Sequence, residues 1–256
     1  MNQQKRLLKI MEELKKKKSL SLRDIIELTN SSRDTARRDT IKLSDNNLVV
    51  RNYGGISLVN SFNKIDGYLD RTNNMTQIKK ELAKKAVSLI NQKKLIYFDV
   101  STTISAIPQF LPAKKELHSV TNSIDIADQL LRNTNYKTTM LGGALDGETR
   151  SVAGGSPLLE LSKYQIDIAF LSCAGIDEKG IYYAHEEDIA MKTKIKEQSK
   201  LLVIICDHTK VELSHNFPVY SFDDIDFFIT DRKLPTALSE KIDPTKILYT
   251  KESKNV

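Results

Sequence analysis

The chain has 256 residues, with 39 Lys+Arg against 33 Asp+Glu, a formal charge of +6 and a hydrophobic fraction of 40%. That fraction excludes wholesale disorder, and the length suits one large domain or a small one joined to a medium one. No apolar run approaches the roughly 18–20 residues that cross a bilayer, and Lys15 to Lys18 follow the N-terminus too closely for a signal-peptide core, so a cytoplasmic protein with no membrane contact is expected.

The charge is unevenly placed. Residues 1–58 hold 13 Lys+Arg and 7 Asp+Glu, whereas the rest of the chain holds 26 of each. A basic head on a neutral body is the distribution of a nucleic-acid-binding module carrying a separate domain. By charge alone, a solvated lysine-rich surface would look the same.

Leu7, Ile10, Met11 and Leu14 recur at helical spacing, predicting an amphipathic helix over about 5–17. Lys15 to Lys18 then lie at its C-terminal end, where the helix dipole favours cations, and this accounts for them without DNA. Ser21 and Asp24 have capping-box spacing for a second helix, whose buried stripe is Leu22, Ile25, Ile26 and Leu28. Thr29-Asn30-Ser31 makes a turn. Ser32 caps a third helix running to about Asp45, with Ala36, Ile41 (or Thr40) and Leu43 facing inward. Two short helices across such a turn form a helix-turn-helix. The β-prone runs on either side of Gly54-Gly55 form a hairpin or wing.

The third helix carries the recognition chemistry. Ser32, Arg33, Thr35, Arg37 and Arg38 crowd the half that enters the major groove in this motif. There Arg can bridge guanine O6 and N7, and a Thr methyl can meet a thymine methyl. Arg51, Tyr53 and Gly54 are wing candidates for contacts with double-stranded DNA. The alternative is a surface role, with Asp34 pairing Arg38 and Asp39 neutralising another arginine.

Thr35-Ala36-Arg37-Arg38-Asp39, Leu43, Arg51 and Gly54-Gly55-Ile56 together resemble the signature of the DeoR family of bacterial sugar-metabolism repressors. The chain departs from that signature at Ser31, Ala36, Thr40, Asn47 and Ile56.

Residues 60–76 are polar and poorly periodic, predicting a linker between a winged helix-turn-helix domain over 1–59 and an effector domain over 77–256. In the effector domain, helical stretches (78–90, 102–111, 124–131) alternate with short apolar strands near 95–98, 118–121, 138–141, 168–171, 201–205 and 227–229. That alternation predicts a mostly parallel α/β sheet, whose ligands bind at the carboxyl ends of the strands. Those ends are polar: Asp99-Val100-Ser101-Thr102-Thr103, Thr121-Asn122-Ser123, Gly142-Gly143, Gly175-Ile176-Asp177 and Asp207-His208-Thr209-Lys210. Hydroxyls and backbone N–H groups at a helix start suit a phosphate, although Ser, Thr and Asn there are often plain caps.

These ends also resemble the DeoR effector domain, which shares its fold with ribose-5-phosphate isomerase and CoA-transferase-like proteins. Glu187 and Lys192 fall where that family has an acidic residue and a helix lysine, and Ser101 stands where it usually has Gly. The resemblance implies a repressor governed by a phosphorylated sugar effector and acting as a dimer or tetramer. Lys210, Lys192 and Thr102-Thr103 would hold the phosphate, and Asp99, Asn122, Asp177 and Glu187 the hydroxyls. The rival is a sugar-phosphate isomerase-like enzyme. Its acid/base loop carries two carboxylates, whereas Ala174-Gly175-Ile176-Asp177 offers one. No cofactor is implied. His118, His185, His208 and His215 lack metal-ligand spacing, and Cys173 and Cys206 read as packing residues.

Overall fold

The computed structural model describes residues 2–17, 19–45, 48–52, 55–58, 68–72, 74–91, 94–112 and 116–250. They fall into two compact units, one ending at residue 64 and the other beginning at residue 65.

The first unit holds α1 (Gln3–Lys17), β1 (Ser19–Ser21), α2 (Leu22–Thr29), α3 (Arg33–Asp45), β2 (Val49–Asn52) and β3 (Gly55–Leu58). α2 begins on the capping box read from the sequence: Ser21 Oγ accepts from the Asp24 amide at 3.1 Å, and the Ser21 amide donates back to Asp24 Oδ2 at 2.8 Å. Asn30 ends the helix in the left-handed region, φ 48°, and turns the chain toward α3. Ile10, Leu14, Leu20, Ile25, Ala36, Leu43, Val49 and Ile56 form the core of the unit. Ile41 is exposed and Thr40 buried, which resolves the two inward candidates. A helix turns 3.6 residues at a time, so Ala36, Thr40 and Leu43 share a face that Ile41 leaves.

The three strands pair antiparallel in the order β1-β3-β2. Gly55 lies opposite Ser21, and a Cβ there would come 2.2 Å from the Leu20 carbonyl oxygen. Only glycine admits that approach of β3 to β1.

The second unit opens with α4 (Tyr68–Thr72) and α5 (Thr76–Val87). α4 lies in the stretch read as a linker, which is therefore partly structured. Its anchor is Tyr68, a buried aromatic with no periodic neighbours to announce it. Burial, then the charge of Asp125, pushes the Tyr68 phenol up to about 12.

Strands β4 (Leu95–Phe98), β5 (His118–Thr121) and β6 (Lys137–Met140) follow, with α6 (Ile124–Asn133) between the last two. A hairpin of β7 (Ala144–Asp146) and β8 (Ser151–Ala153) comes next, then α7 (Gly155–Leu161), β9 (Ile168–Leu171), β10 (Gly175–Asp177) and β11 (Gly180–Tyr183). α8 (Glu187–Gln198), β12 (Leu202–Ile205), β13 (Phe217–Tyr220), β14 (Phe227–Thr230) and β15 (Ile247–Tyr249) complete the unit. Residues 104–110, expected as part of an α-helix, form a 3-10 helix. Pro108 inside it lacks the N–H that an α-helical bond would need.

The main sheet has seven strands, ordered β15-β14-β12-β9-β4-β5-β6 and parallel throughout. Both faces are covered, and side chains alternate between them. Ile96, Phe98, Ile168, Phe170, Val203 and Ile205 enter a core under α5, the 3-10 helix and α6. Tyr97, Ala169, Leu171, Leu202 and Ile204 enter a second core, with α7, α8 and the small antiparallel sheet β10-β11-β13. Phe98 stacks on Phe170 across the centre at 5.8 Å; each such burial stabilises by roughly 2–3 kcal/mol.

β4 has its sequence successors β5 and β6 on one side and β9, β12, β14 and β15 on the other. The winding changes direction between β4 and β9. In a parallel sheet, the crevice beyond the strand ends at such a switch point is where ligands bind.

Candidate functional site

In the first unit, α3 exposes Arg33, Arg37 and Arg38, and none of them is in an ion pair among the described residues. Asp39, on the opposite face, is buried and receives Arg6 Nε at 2.6 Å and Gln3 Nε2 at 3.1 Å, so it clamps α1 to α3. The hydrogen bond to Asp39 holds the Arg6 guanidinium above its ordinary value. The arginine that Asp39 neutralises therefore comes from α1, and those of α3 stay available. Ser32 Oγ accepts from the Thr35 amide at 3.3 Å and lies 2.9 Å from the Thr35 hydroxyl, which makes it the cap of α3. Arg51 stands in β2 opposite Ile56, whereas Tyr53 and Gly54 lie outside the described residues.

In the second unit, a cavity of about 570 Å³ opens at the switch point. Asp99, Val100 and Ser101, following β4, form one part of its wall, and Ser172, Cys173 and Ala174, following β9, form another. Asn122 beyond β5, Tyr183 at the end of β11, and Glu187 and Lys192 from α8 also line it. The β7–β8 hairpin covers one side, tied down where Arg150 meets the Asp125 carboxylate at 2.8 Å.

The floor is a buried ion pair. Lys192 Nζ donates to Asp99 Oδ1 at 2.9 Å and lies 3.4 Å from Asp188 Oδ1. Burial pushes the Asp99 carboxyl above its ordinary value against the pull of Lys192. Burial disfavours the Lys192 charge too, but Asp99 and Asp188 hold that ammonium above its ordinary value. The pair presents a fixed polar floor without a mobile charge. Asn122 is equally fixed: its Oδ1 accepts from Tyr97 OH at 2.8 Å, and its Nδ2 donates to the Val152 carbonyl at 3.3 Å.

Of the sequence candidates, Asp99, Ser101, Asn122, Glu187 and Lys192 meet in this cavity. Thr102 and Thr103, both buried, form the turn beyond it, where the Thr103 amide donates to Ser101 Oγ at 3.0 Å. The other candidates stand outside. Thr121 donates to the Phe98 carbonyl, and Ser123 caps α6, so both hold the strand ends in shape. The Gly142 amide donates to Glu160, and a Cβ on Gly143, at φ +150°, would come 2.8 Å from the Val152 side chain. Gly175 and Asp177 belong to β10. The Asp177 carboxylate is saturated by the Lys179 amide, Tyr182 OH and Ser214 OH. Asp207 caps a short 3-10 turn through Thr209, with Lys210 at its end.

Lys79 escaped the sequence reading. It sits on the buried face of α5, and its Nζ donates to Thr102 Oγ1 at 3.0 Å. Burial lowers its pKa, Asp207 opposes that, and Arg71 and Lys210 add to the lowering. Lys79, Arg71 and Lys210 thus set three cations against the one carboxylate of Asp207 beside the Ser101–Thr103 turn. The signal available was a lysine at a stripe position shared with Leu82 and Ala86. Among the described residues, no cluster of three metal-ligating side chains occurs, and no helix is long and apolar enough to cross a membrane.

The two units correspond to two known domain families. Residues 6–62 match the DeoR-like helix-turn-helix domain, and residues 74–232 match the DeoR C terminal sensor domain. This chain belongs to the DeoR family. The DeoR-family chain is therefore a DNA-binding transcriptional regulator with a sensor domain. It is 35% identical over 243 residues to the HTH-type transcriptional repressor GlcR of Bacillus subtilis (strain 168), covering 95% of this chain and 94% of that one. It is 26% identical over 232 residues to the glycerol-3-phosphate regulon repressor of Escherichia coli (strain K12), covering 90% and 92%. Among solved structures, ribose 5-phosphate isomerase from Plasmodium falciparum is 20% identical over 54% of this chain and 53% of that one, at a TM-score of 0.38.

Proposed function

We propose that this DeoR-family regulator represses a carbohydrate-metabolism operon, and that a phosphorylated sugar in the switch-point cavity alters its hold on operator DNA. The observation that carries the reading is the polarity of the cavity: a fixed Asp99–Lys192 floor with a cationic cluster to one side. The phosphate lies on the cavity side of the Ser101–Thr103 turn with Arg71 of the lining beside it, Lys79 and Lys210 outside the lining adding only their charge, and Asp99, Asn122 and Glu187 meet the hydroxyls. Lys192, expected on the phosphate, is committed to Asp99 and Asp188 and positions that floor instead. The E. coli relative is named for a phosphorylated polyol, which agrees with the class of ligand.

The exposed arginines of α3 read the operator, with two or more copies on a palindrome, because operator symmetry mirrors protein symmetry. The effector acts only by binding the DNA-competent and incompetent states unequally. Such a regulator works in the cytoplasm, beside the chromosome. Turnover is not part of the reading. Ala174 lines the cavity where an isomerase loop would place a carboxylate, and Asp99 is locked to Lys192.

A thermal-shift screen of ribose, fructose and glucose phosphates tests this, since a ligand that binds only the folded state raises its unfolding temperature. At least one is expected to stabilise the protein without being isomerised. Lys79→Met, which keeps the buried stem but removes the donor to Thr102, is expected to reduce the shift, measured against the variant's own ligand-free unfolding temperature. Absence of any shift, or measurable isomerisation, would overturn the reading.

A further inference from the structure

Helix α3 turns Ala36, Asp39, Thr40 and Leu43 into the head. Opposite that face lie Asp34, Arg37, Arg38, Ile41 and Asp45, all exposed and recurring at three- and four-residue spacing. Four of the five are charged. Ile41 is not, and it is 40% exposed. With 3.6 residues per turn it projects about 40° from Arg37 and about 60° from Arg38, so it stands between the two arginines. A lone exposed apolar side chain elsewhere on a surface needs no explanation, but one in the middle of a charged, DNA-reading stripe does. Thr35, whose methyl the sequence offered to a thymine, does not share that stripe. It is half-buried, its hydroxyl lies 2.9 Å from Ser32 Oγ, and its amide donates to the same atom at 3.3 Å, so it belongs to the cap of the helix. The hydrocarbon that this helix presents to a partner is therefore Ile41.

We propose that Ile41 is a specificity-determining residue of the recognition helix, whose side chain packs on the C5-methyl group of a thymine in each operator half-site. This rests on the operator reading above and deepens it, by assigning a base beside the guanines that Arg37 and Arg38 are suited to bridge. A helix in the major groove meets phosphates, polar base edges and thymine methyls. A phosphate or a polar edge set against Ile41 loses water and gains no hydrogen bond, which is unfavourable. A methyl set against it removes apolar surface from water on both sides, which is favourable. Ile41 lies four residues beyond Arg37, about 6 Å along the helix axis. That distance is about two base-pair steps. The thymine is therefore expected within about two base pairs of the one that Arg37 contacts.

The test uses the full-length protein and duplex DNA from upstream of its own operon, with thymines replaced by deoxyuridine, first all together and then one at a time. Uracil keeps the base pair and lacks only the methyl group. The parent protein is expected to bind the fully replaced duplex about tenfold more weakly, as two half-sites each lose one apolar contact. Single replacements should trace that loss to one thymine per half-site. Ile41→Ala is expected to bind the thymine duplex about tenfold more weakly than the parent, and to be indifferent to replacement of that thymine. Its unfolding temperature should match the parent's, because Ile41 stands outside the core of the head. Ile41→Val, which keeps a branched hydrocarbon, should retain the sensitivity to uracil. An Ile41→Ala that binds the thymine duplex as tightly as the parent, or that responds to every deoxyuridine as the parent does, would overturn the assignment. An Ile41→Ala that unfolds several degrees lower and loses equally on both duplexes would overturn it too, and make Ile41 a packing residue. Failure of the operator reading looks different: Arg37→Ala with Arg38→Ala binds the duplex as tightly as the parent, or the parent does not bind it at all, and this inference falls with that reading.

Discussion

Arg37 and Asp39 stand two residues apart on one helix and serve opposite ends. Arg37 points to solvent beside Arg38, while Asp39 is buried under Arg6 and Gln3. Replacing both arginines, Arg37→Ala with Arg38→Ala, should therefore abolish operator binding and leave the unfolding temperature within a degree or so, because no contact in the fold is lost. Asp39→Ala should also abolish binding, but by loosening α1 from α3, with a clear drop in the unfolding temperature of the head. Gel shift and thermal unfolding on the same samples separate the two; an unfolding temperature that falls as far for the arginine pair would contradict the division of roles. The sequence showed that this helix was rich in arginine, but not which acid belonged to the fold, because the partner of Asp39 lies on another helix, 33 residues away. The same limit hid the Asp99–Lys192 pair, 93 residues apart, and the burial of Lys79 against Thr102. A local pattern places a residue on a face; it does not say what that face meets.

At the scale of elements, β4, β9, β12 and β14 were legible as short apolar runs buried in the sheet, and α1, α2, α5 and α6 by their stripes, whereas the edge strand β15 (Ile247–Tyr249) and the short helix α7 were not read. Nor were the hairpin β7–β8, the small sheet β10-β11-β13 and the helix α4. They are short, polar or half exposed, and their pairing comes from tertiary contacts such as Arg150 to Asp125. One such contact can be tested by pH. Asp167, at the entry to β9, accepts from the amides of Lys94 and Leu95 at 3.0 and 3.1 Å and from Lys200 Nζ at 2.8 Å, fastening the starts of β9 and β4 together. Burial raises its pKa, but Lys200 and the two amides prevail and bring it down to about 2. A depressed carboxylate stabilises the fold above its unfolded pKa and loses that contribution as the pH falls through the folded value. Asp167→Asn should therefore cost about 1 kcal/mol at pH 7, after discounting for solvent screening. The gap between variant and parent should close as the pH falls from about 4 toward about 2. Urea unfolding across that range checks it, and a gap independent of pH would show that the charge contributes nothing.

For the whole molecule, the uneven charge was the most informative feature of the sequence. The +6 of the chain belongs to its first 58 residues, and the helix-turn-helix occupies that segment. The neutral remainder folds into a sensor domain in which two cations are drawn inward, Lys192 to Asp99 and Lys79 to Thr102. Operator affinity should then come from the head and fall steeply with salt as its few phosphate contacts are lost. Regulation should come from the cavity. The most direct measurement is fluorescence anisotropy of the full-length protein on duplex DNA from upstream of its own operon, at fixed salt, with and without each sugar phosphate. The account predicts that the duplex is bound and that at least one sugar phosphate changes the dissociation constant by about tenfold or more, while inorganic phosphate at equal ionic strength does not. DNA affinity unmoved by any sugar phosphate, including one that binds the protein, would contradict it.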